Sequence, residues 1–191
     1  MKLIIASNNK HKVYEIKRML GDRFEEILSL REAGIDHEVV EDGVTFMENA
    51  VKKAREIAAL SGCASLADDS GITARALGDR PGVYSARFAG VHGDDAANNA
   101  LLLKLLSTEE DKSAYYTCAM ALAYPDGTLV TAEGYMHGRI TPDARGERGF
   151  GYDPIFIAEG HECTVAEMED DEKNAISHRG RALAALLGQL K

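Results

Sequence analysis

Two apolar runs, Tyr115 to Tyr124 and Thr128 to Glu133, flank the triplet Pro125-Asp126-Gly127. Proline presets φ for a turn and glycine accepts positive φ, so the segment predicts a hairpin and an antiparallel strand pair. Gly134 to Ile140 extends the sheet. Elsewhere short strands alternate with helices. Leu3 to Ala6 reads as a buried strand, followed by a helix with Val13, Ile16, Met19 and Leu20 on one face and Gly21 as its stop. Glu25 to Leu30 is a second strand. Thr45-Phe46-Met47-Glu48 is a capping box that starts a helix running to Ser61. That helix buries Phe46, Ala50, Ala54, Ile57 and Ala58, and Glu48, Lys52 and Glu56 form i,i+4 pairs on its surface. Ala64 to Ala67 is a short strand, Asn98 to Leu106 a helix, and Ser177 to Leu190 a closing helix. Interleaved helices and strands with one hairpin give an α/β fold built on a mixed sheet flanked by helices.

A chain of 191 residues suits one large domain or two tightly joined lobes. No repeat or linker divides it, so residues 1–191 are read as a single domain. The net charge of -9 excludes a nucleic-acid polymer as partner, because a phosphate backbone needs a basic face. A small anion remains compatible, since a few local lysines outweigh the global field. Cys63, Cys118 and Cys163 have no metal-binding spacing and read as free thiols in a reducing compartment. The N-terminal apolar run is too short for a signal peptide, and no stretch reaches the length of a membrane span. The expected location is cytoplasmic.

Four segments carry side chains that neither period explains. Gly149-Phe150-Gly151-Tyr152-Asp153-Pro154-Ile155-Phe156 fits a tight turn entering a buried strand. It also sets a flat aromatic face beside a fixed acceptor, as a heterocyclic base requires. Ser7-Asn8-Asn9-Lys10-His11-Lys12 lies where a strand feeds a helix. Such a bend points amides outward and suits an anion, although Ser and Asn are ordinary helix caps. Asp68-Asp69-Ser70-Gly71 fits either a solvated turn or a hard-cation site, with Glu41 or Asp42 supplying a further oxygen. Lys173-Asn174-Ala175-Ile176-Ser177-His178-Arg179-Gly180 gathers three basic side chains where a helix is expected to begin, an unfavourable place for cations unless a ligand uses them. Pro81 to Phe88 reads as a structural loop, and Lys53 as a solvated lysine.

In order, SNNKHK, EDGVTFMENAVKKA, SLADDSG, PGVYSARFAG, GFGYDPIF and EKNAISHRG resemble the motifs of the inosine triphosphate pyrophosphatase family, which removes non-canonical purine nucleotides. The resemblance spans nearly the whole chain. It implies an elongated, two-lobed α/β fold with a long central mixed sheet, a homodimer, and Mg²⁺-dependent hydrolysis of ITP, dITP and XTP to the monophosphate and pyrophosphate. Carried over by position, Ser7, Asn9, Lys12 and Lys53 would hold the triphosphate, with Asn8, Lys10 and His11 in the same bend. Glu41 and Asp69 would organise Mg²⁺ with Asp68 close by, and Asp69 would be the general base. Ser70 would touch substrate. Phe150 would stack on the base, with Gly151 and Tyr152 beside it, while Asp153, Lys173, His178 and Arg179 would read its edge. Two positions depart from the family pattern. Ser7-Asn8-Asn9 lacks the usual glycine between hydroxyl and Asn, and Arg75 stands where an acidic residue is common. A purine-binding regulatory module without turnover is the alternative from a different class.

Overall fold

The computed structural model describes residues 1–190. Its strands are β1 (Lys2–Ile5), β2 (Glu26–Ser29), β3 (Ala64–Ala74), β4 (Arg80–Pro81), β5 (Ser113–Ala123), β6 (Leu129–Ile140) and β7 (Phe156–Ala158). Its α-helices are α1 (Lys10–Leu20), α2 (Phe46–Ser61), α3 (Asp95–Leu106), α4 (Asp170–Ile176) and α5 (His178–Leu187). The strands form one sheet in the order β2-β1-β3-β5-β6-β7, with β4 added to β3. β1 runs parallel to β2 and β3, whereas β4 is antiparallel to β3 and β7 to β6. The sheet is therefore mixed, as the hairpin and crossover helices require. The turn at 125–127 closes with Tyr124 N donating to Thr128 O at 2.9 Å and Gly127 N donating to Tyr124 O at 3.0 Å.

The chain divides into two compact units. Unit 1 comprises residues 1–69, 118–134 and 179 onward, and unit 2 comprises 70–117 and 135–178. In unit 1, β1 and the unit's parts of β3 and β5 are buried on both faces, and their alternate residues feed two separate cores. Leu3, Ile5, Leu66, Cys118, Met120 and Leu122 pack with Ile16 and Leu20 of α1 and Leu183 and Leu186 of α5. Ile4, Ala6, Ala67, Ala119, Ala121 and Ala123 pack with Ala50, Ala54, Ile57 and Ala58 of α2. The second core is mostly alanine, which lets α2 lie close on the sheet. Unit 2 has its own core of Ile72, Leu102, Leu106, Tyr116, Met136, Ile140, Ile155 and Phe156. No helix is long and apolar enough to cross a membrane among the described residues.

The caps follow the sequence. Thr45 Oγ1 accepts from Glu48 N at 3.1 Å, and Glu48 Oε2 accepts from Val44 N and Thr45 N at 2.7 and 3.2 Å. Glu48 is thereby committed to the cap, and Lys52 pairs instead with Asp42 at 2.6 Å, while Glu56 bonds His37. Three expectations are corrected. The strand at Ala64 does not end before Asp68 but continues through Asp68-Asp69-Ser70-Gly71 to Ala74. Two buried ion pairs replace the solvation that a turn would have supplied. The helix expected at Asn98 begins at Asp95, because Asp94 caps it through Ala97 N at 3.0 Å. The closing helix is found as α5, but a separate short helix, α4, precedes it and ends at Ser177, whose backbone is extended at φ -67 and ψ 153. Lys173 consequently lies in the last turn of α4, where a cation is favoured, and only His178 and Arg179 stand at a helix start.

Ala54→Leu places a larger side chain in the alanine-rich core of unit 1, where Ala54 is fully buried. The expected cost is about 1–3 kcal/mol from overpacking. A matching drop in the urea midpoint at unchanged m-value checks it.

Candidate functional site

The pleat of β3 decides the chemistry of unit 1. Successive strand residues face opposite sides, so Asp68 shares the side of Leu66 with α1 and α5, and Asp69 the side of Ala67 with α2. Asp68 is completely buried and meets two cations. Lys12 Nζ lies 3.2 Å from Asp68 Oδ2, and Arg179 donates to the same oxygen through Nε at 3.3 Å and Nη2 at 3.1 Å. Arg179 is itself only 1% exposed and donates through Nη1 to Glu15 Oε2 at 2.6 Å. Burial alone would raise the Asp68 carboxyl, but Lys12, Arg179 and Lys53 outweigh it and hold it far below the usual carboxylate range. Burial would lower the Arg179 guanidinium, and Asp68 and Glu15 raise it instead.

On the other side, Asn49 Nδ2 donates to Asp69 Oδ2 at 3.0 Å. Lys53 Nζ stands 4.0 Å from Asp69 Oδ1 and forms a close ion pair with Glu41. Lys53 is not the solvated lysine its position on a charged helix surface suggested. It is 9% exposed, and although burial disfavours its charge, Asp69 and Glu41 carry its pKa above the ordinary value. Burial pushes the Asp69 carboxyl up, more than Lys53 and Lys12 pull it down. Asn49 also accepts from Gly43 N at 2.8 Å through Oδ1, tying the loop that carries Glu41 to the Asp69 carboxylate.

At the bend that begins with Ser7, the helix-cap reading is borne out. Asn9 Oδ1 accepts from His11 N at 3.0 Å and Lys12 N at 3.2 Å, and Ser7 Oγ accepts from Asn9 N at 3.2 Å. Those amides are spent on capping α1, and Lys12 is the residue of the bend that reaches the buried cluster. Asn8, Lys10 and His11 are exposed around it. Cys118 lies on the Asp68 face of the sheet. Burial, then the charge of Asp68, push its thiol up to about 12, so it is an inert core residue.

Unit 2 holds a second buried polar group. Lys173 Nζ donates to Asp153 Oδ2 at 2.7 Å, and Phe150 N donates to the same oxygen at 3.0 Å. The Lys173 ammonium lies 5.0 Å from the centroid of the Phe150 ring. Tyr116 donates to Asp153 Oδ1 at 3.3 Å, and its ring stacks on the His178 imidazole. Gly151 is gripped through both sides of its peptide, its N–H by Asp95 Oδ2 at 2.7 Å and its carbonyl by Asn99 Nδ2 at 3.0 Å. Gly149 has φ +74, and a Cβ there would lie 2.1 Å from Asp153 Oδ2, so the turn admits only glycine. Tyr152 spends its hydroxyl on the Ser85 carbonyl at 2.8 Å, a structural bond. Ser85 in turn bonds Ile72 N and Gly82 O, which bears out the structural reading of the 81–88 loop. Ser70, the first residue of unit 2, is part-buried on β3.

The structure thus brings together Lys12, Asp68 and Arg179, then Lys53, Asp69 and Glu41, and separately Phe150, Asp153, Lys173 and His178. Arg179, expected with the last group, has Asp68 and Glu15 as its partners. Sequence reading missed Glu15, Asn49, Tyr116, Asp95 and Asn99. Glu15 and Asn49 had a signal, since each is a polar residue interrupting the buried stripe of its helix.

The profile of the Ham1 family matches residues 3–189. A dITP/XTP pyrophosphatase of Clostridium perfringens is 48% identical over 198 residues, covering 100% of this chain and 97% of that protein. The solved structure of a HAM1 protein from Coxiella burnetii superposes with a TM-score of 0.89 at 39% identity, covering 100% of this chain and 98% of that one. A nucleoside-triphosphatase/dITP/XTP pyrophosphatase structure from Mycobacterium abscessus gives a TM-score of 0.78 at 48% identity, covering 98% and 99%.

Asp68→Asn removes the charge that two buried cations need. The expected loss at pH 7 is about 3–5 kcal/mol. The folded Asp68 carboxyl titrates below its unfolded value of about 3.9. Its contribution is therefore present above that value and lost as pH falls towards the folded one. The gap between wild type and variant in chemical denaturation curves should begin to narrow below about pH 4 and go on narrowing as pH falls towards the folded value.

Proposed function

The chain belongs to the Ham1 family, and on that premise we propose that it is a nucleoside-triphosphate pyrophosphatase acting on the non-canonical purine nucleotides ITP, dITP and XTP. The products are the monophosphate and pyrophosphate. One observation carries this reading. The chain buries two polar groups of different chemistry, lysines and carboxylates in unit 1 and an aromatic face with polar donors in unit 2. Those are the needs of a triphosphate and of a purine base. The dITP/XTP pyrophosphatase relatives support the same assignment.

The charge balance of unit 1 argues for a divalent cation. Lys12, Lys53 and Arg179 face Glu15, Glu41, Asp68 and Asp69, so three positive charges meet four carboxylates. A polyphosphate cannot join that cluster without added positive charge. Glu41 and Asp69 already converge on one cation, the Lys53 ammonium. Two convergent carboxylates fit Mg²⁺, which takes one or two carboxylates and completes its shell with phosphate oxygens and water. Glu41 and Asp69 would hold it, and when bound it would neutralise phosphate charge and lower the pKa of a coordinated water.

The protein's own residues do the rest. Lys12 and Lys53 hold phosphate oxygens, and Asp68 keeps Lys12 and Arg179 aimed. Asp69, its carboxyl raised by burial and its orientation set by Asn49, accepts the proton of the water that attacks the α-phosphorus. Phe150 stacks on the base. His178 donates towards a 6-oxo group, which hypoxanthine and xanthine carry and adenine does not. Arg179, its guanidinium buried between Asp68 and Glu15, holds the carboxylates of unit 1 in place. A donor so placed on the base is left unpaired by a 6-amino group, which discriminates strongly. A homodimer in the cytoplasm belongs to the same proposal and rests on the family resemblance.

Pyrophosphate release from dITP, XTP, GTP and ATP with Mg²⁺ tests the reading. Release should be fast for dITP and XTP, weak for ATP, lost on chelation and restored by Mg²⁺. Asp69→Asn should lower kcat by at least about 10²-fold while nucleotide binding persists. Intact binding with no release from any substrate by the wild type would leave a purine sensor in place of an enzyme.

A further inference from the structure

Tyr116 lies in the apolar run of β5, where sequence alone reads it as one more core aromatic. It is 6% exposed. Its surroundings set it apart from the rest of that core. Its ring is nearly parallel to the His178 imidazole, with centroids 4.5 Å apart and an interplanar angle of 9°. Its edge meets Phe156 at 4.9 Å and 68°, which fixes the ring from a second direction. Its hydroxyl donates to Asp153 Oδ1 at 3.3 Å. Burial, followed by the negative charge of Asp153, raises its pKa well above the ordinary value, so the phenol stays a donor throughout the working pH range.

We infer that Tyr116 is the positioning residue for base recognition, setting the plane of His178 with its ring and the rotation of the Asp153 carboxylate with its hydroxyl. This inference rests on the reading of the site as a purine pocket. Asp153 Oδ2 receives both Lys173 Nζ and Phe150 N. Holding Oδ1 fixes the carboxylate about its own axis, and with it the Lys173 ammonium and the backbone behind the Phe150 ring. Phe150 and Asp153 come from an irregular turn, and Lys173 and His178 from the junction of two short helices. Neither segment supplies its own rigidity. β5 is an interior strand of the sheet, and a side chain anchored on it carries that rigidity to both. Tyr116 contacts the base-reading residues, and none of the residues assigned to phosphate or water activation is among its partners. Its loss should therefore weaken recognition and spare the chemical step.

Steady-state kinetics on dITP, XTP and ATP with the full-length Tyr116→Phe and Tyr116→Leu variants test this, together with the ring-current shift of the His178 imidazole protons in the NMR spectrum. Tyr116→Phe keeps the stack and loses the hydroxyl. KM for dITP and XTP should rise about fivefold to tenfold with kcat within about twofold of wild type. Tyr116→Leu loses both contacts. KM should rise further, selectivity for dITP over ATP should fall, and the upfield shift of the His178 protons should vanish, whereas Tyr116→Phe retains it. Should Tyr116→Leu fail to fold, the Phe variant decides by the split between KM and kcat. Wild-type turnover with KM and selectivity unchanged in the Phe variant overturns the inference alone, as does a parallel fall in kcat at constant KM. A wild type that neither binds nor hydrolyses dITP removes the purine reading, and the inference with it.

Discussion

Two carboxylates adjacent in the chain cannot share a ligand once the backbone between them is pleated, and the organisation of unit 1 depends on that constraint. β3 sends Asp68 towards α1 and α5 and Asp69 towards α2. Each is buried, so each must recruit its own cations, and each helix layer supplies them. Lys12 comes from the first turn of α1 and Arg179 from the first turn of α5, while Lys53 projects from the middle of α2. The opposite pKa directions of the two aspartates follow. Asp68 has two cations within 3.2 Å and stays ionised, whereas Asp69 sits beside Glu41 with a more distant lysine and is pushed up. One strand thereby presents a permanent anion on one face and a basic carboxylate on the other.

The same principle of buried charge organises unit 2 around Asp153. Its two oxygens hold an ammonium, a backbone amide and a phenol, which together orient an aromatic face and an imidazole. Buried charges of this kind are costly to desolvate and contribute little net stability. Their use here is geometric, because each ties a residue from a loop or helix end to a strand.

Much of the fold was legible because it rests on local rules. Period-2 and period-3.6 apolar patterns, a capping box and a hairpin turn located β1, α1, α2, β5 and the start of β6 to within a few residues, while β6 runs on to Ile140. The failures share one cause. Asp68-Asp69-Ser70-Gly71 reads as a turn when carboxylates are assumed to need water, and the ion pairs that remove that need come from residues 12, 53 and 179. Lys173, read as standing at a helix start, instead ends α4, and its partner Asp153 is 20 residues away in sequence. Tyr116 and Asn99 carry no local signal, since an aromatic in a strand and an Asn in a helix are unexceptional.

By itself the sequence determined the α/β class, the mixed sheet, the family resemblance and the identity of the residues with unusual chemistry. Those properties follow from short-range pattern and from residue type. Only the tertiary structure decided which of those residues act together. It split the aspartate pair, withdrew Lys53 from solvent, and joined Arg179 to Glu15 across 164 positions. Partnership among buried charges is a matter of through-space distance and desolvation, and neither quantity is written in the order of residues along a chain.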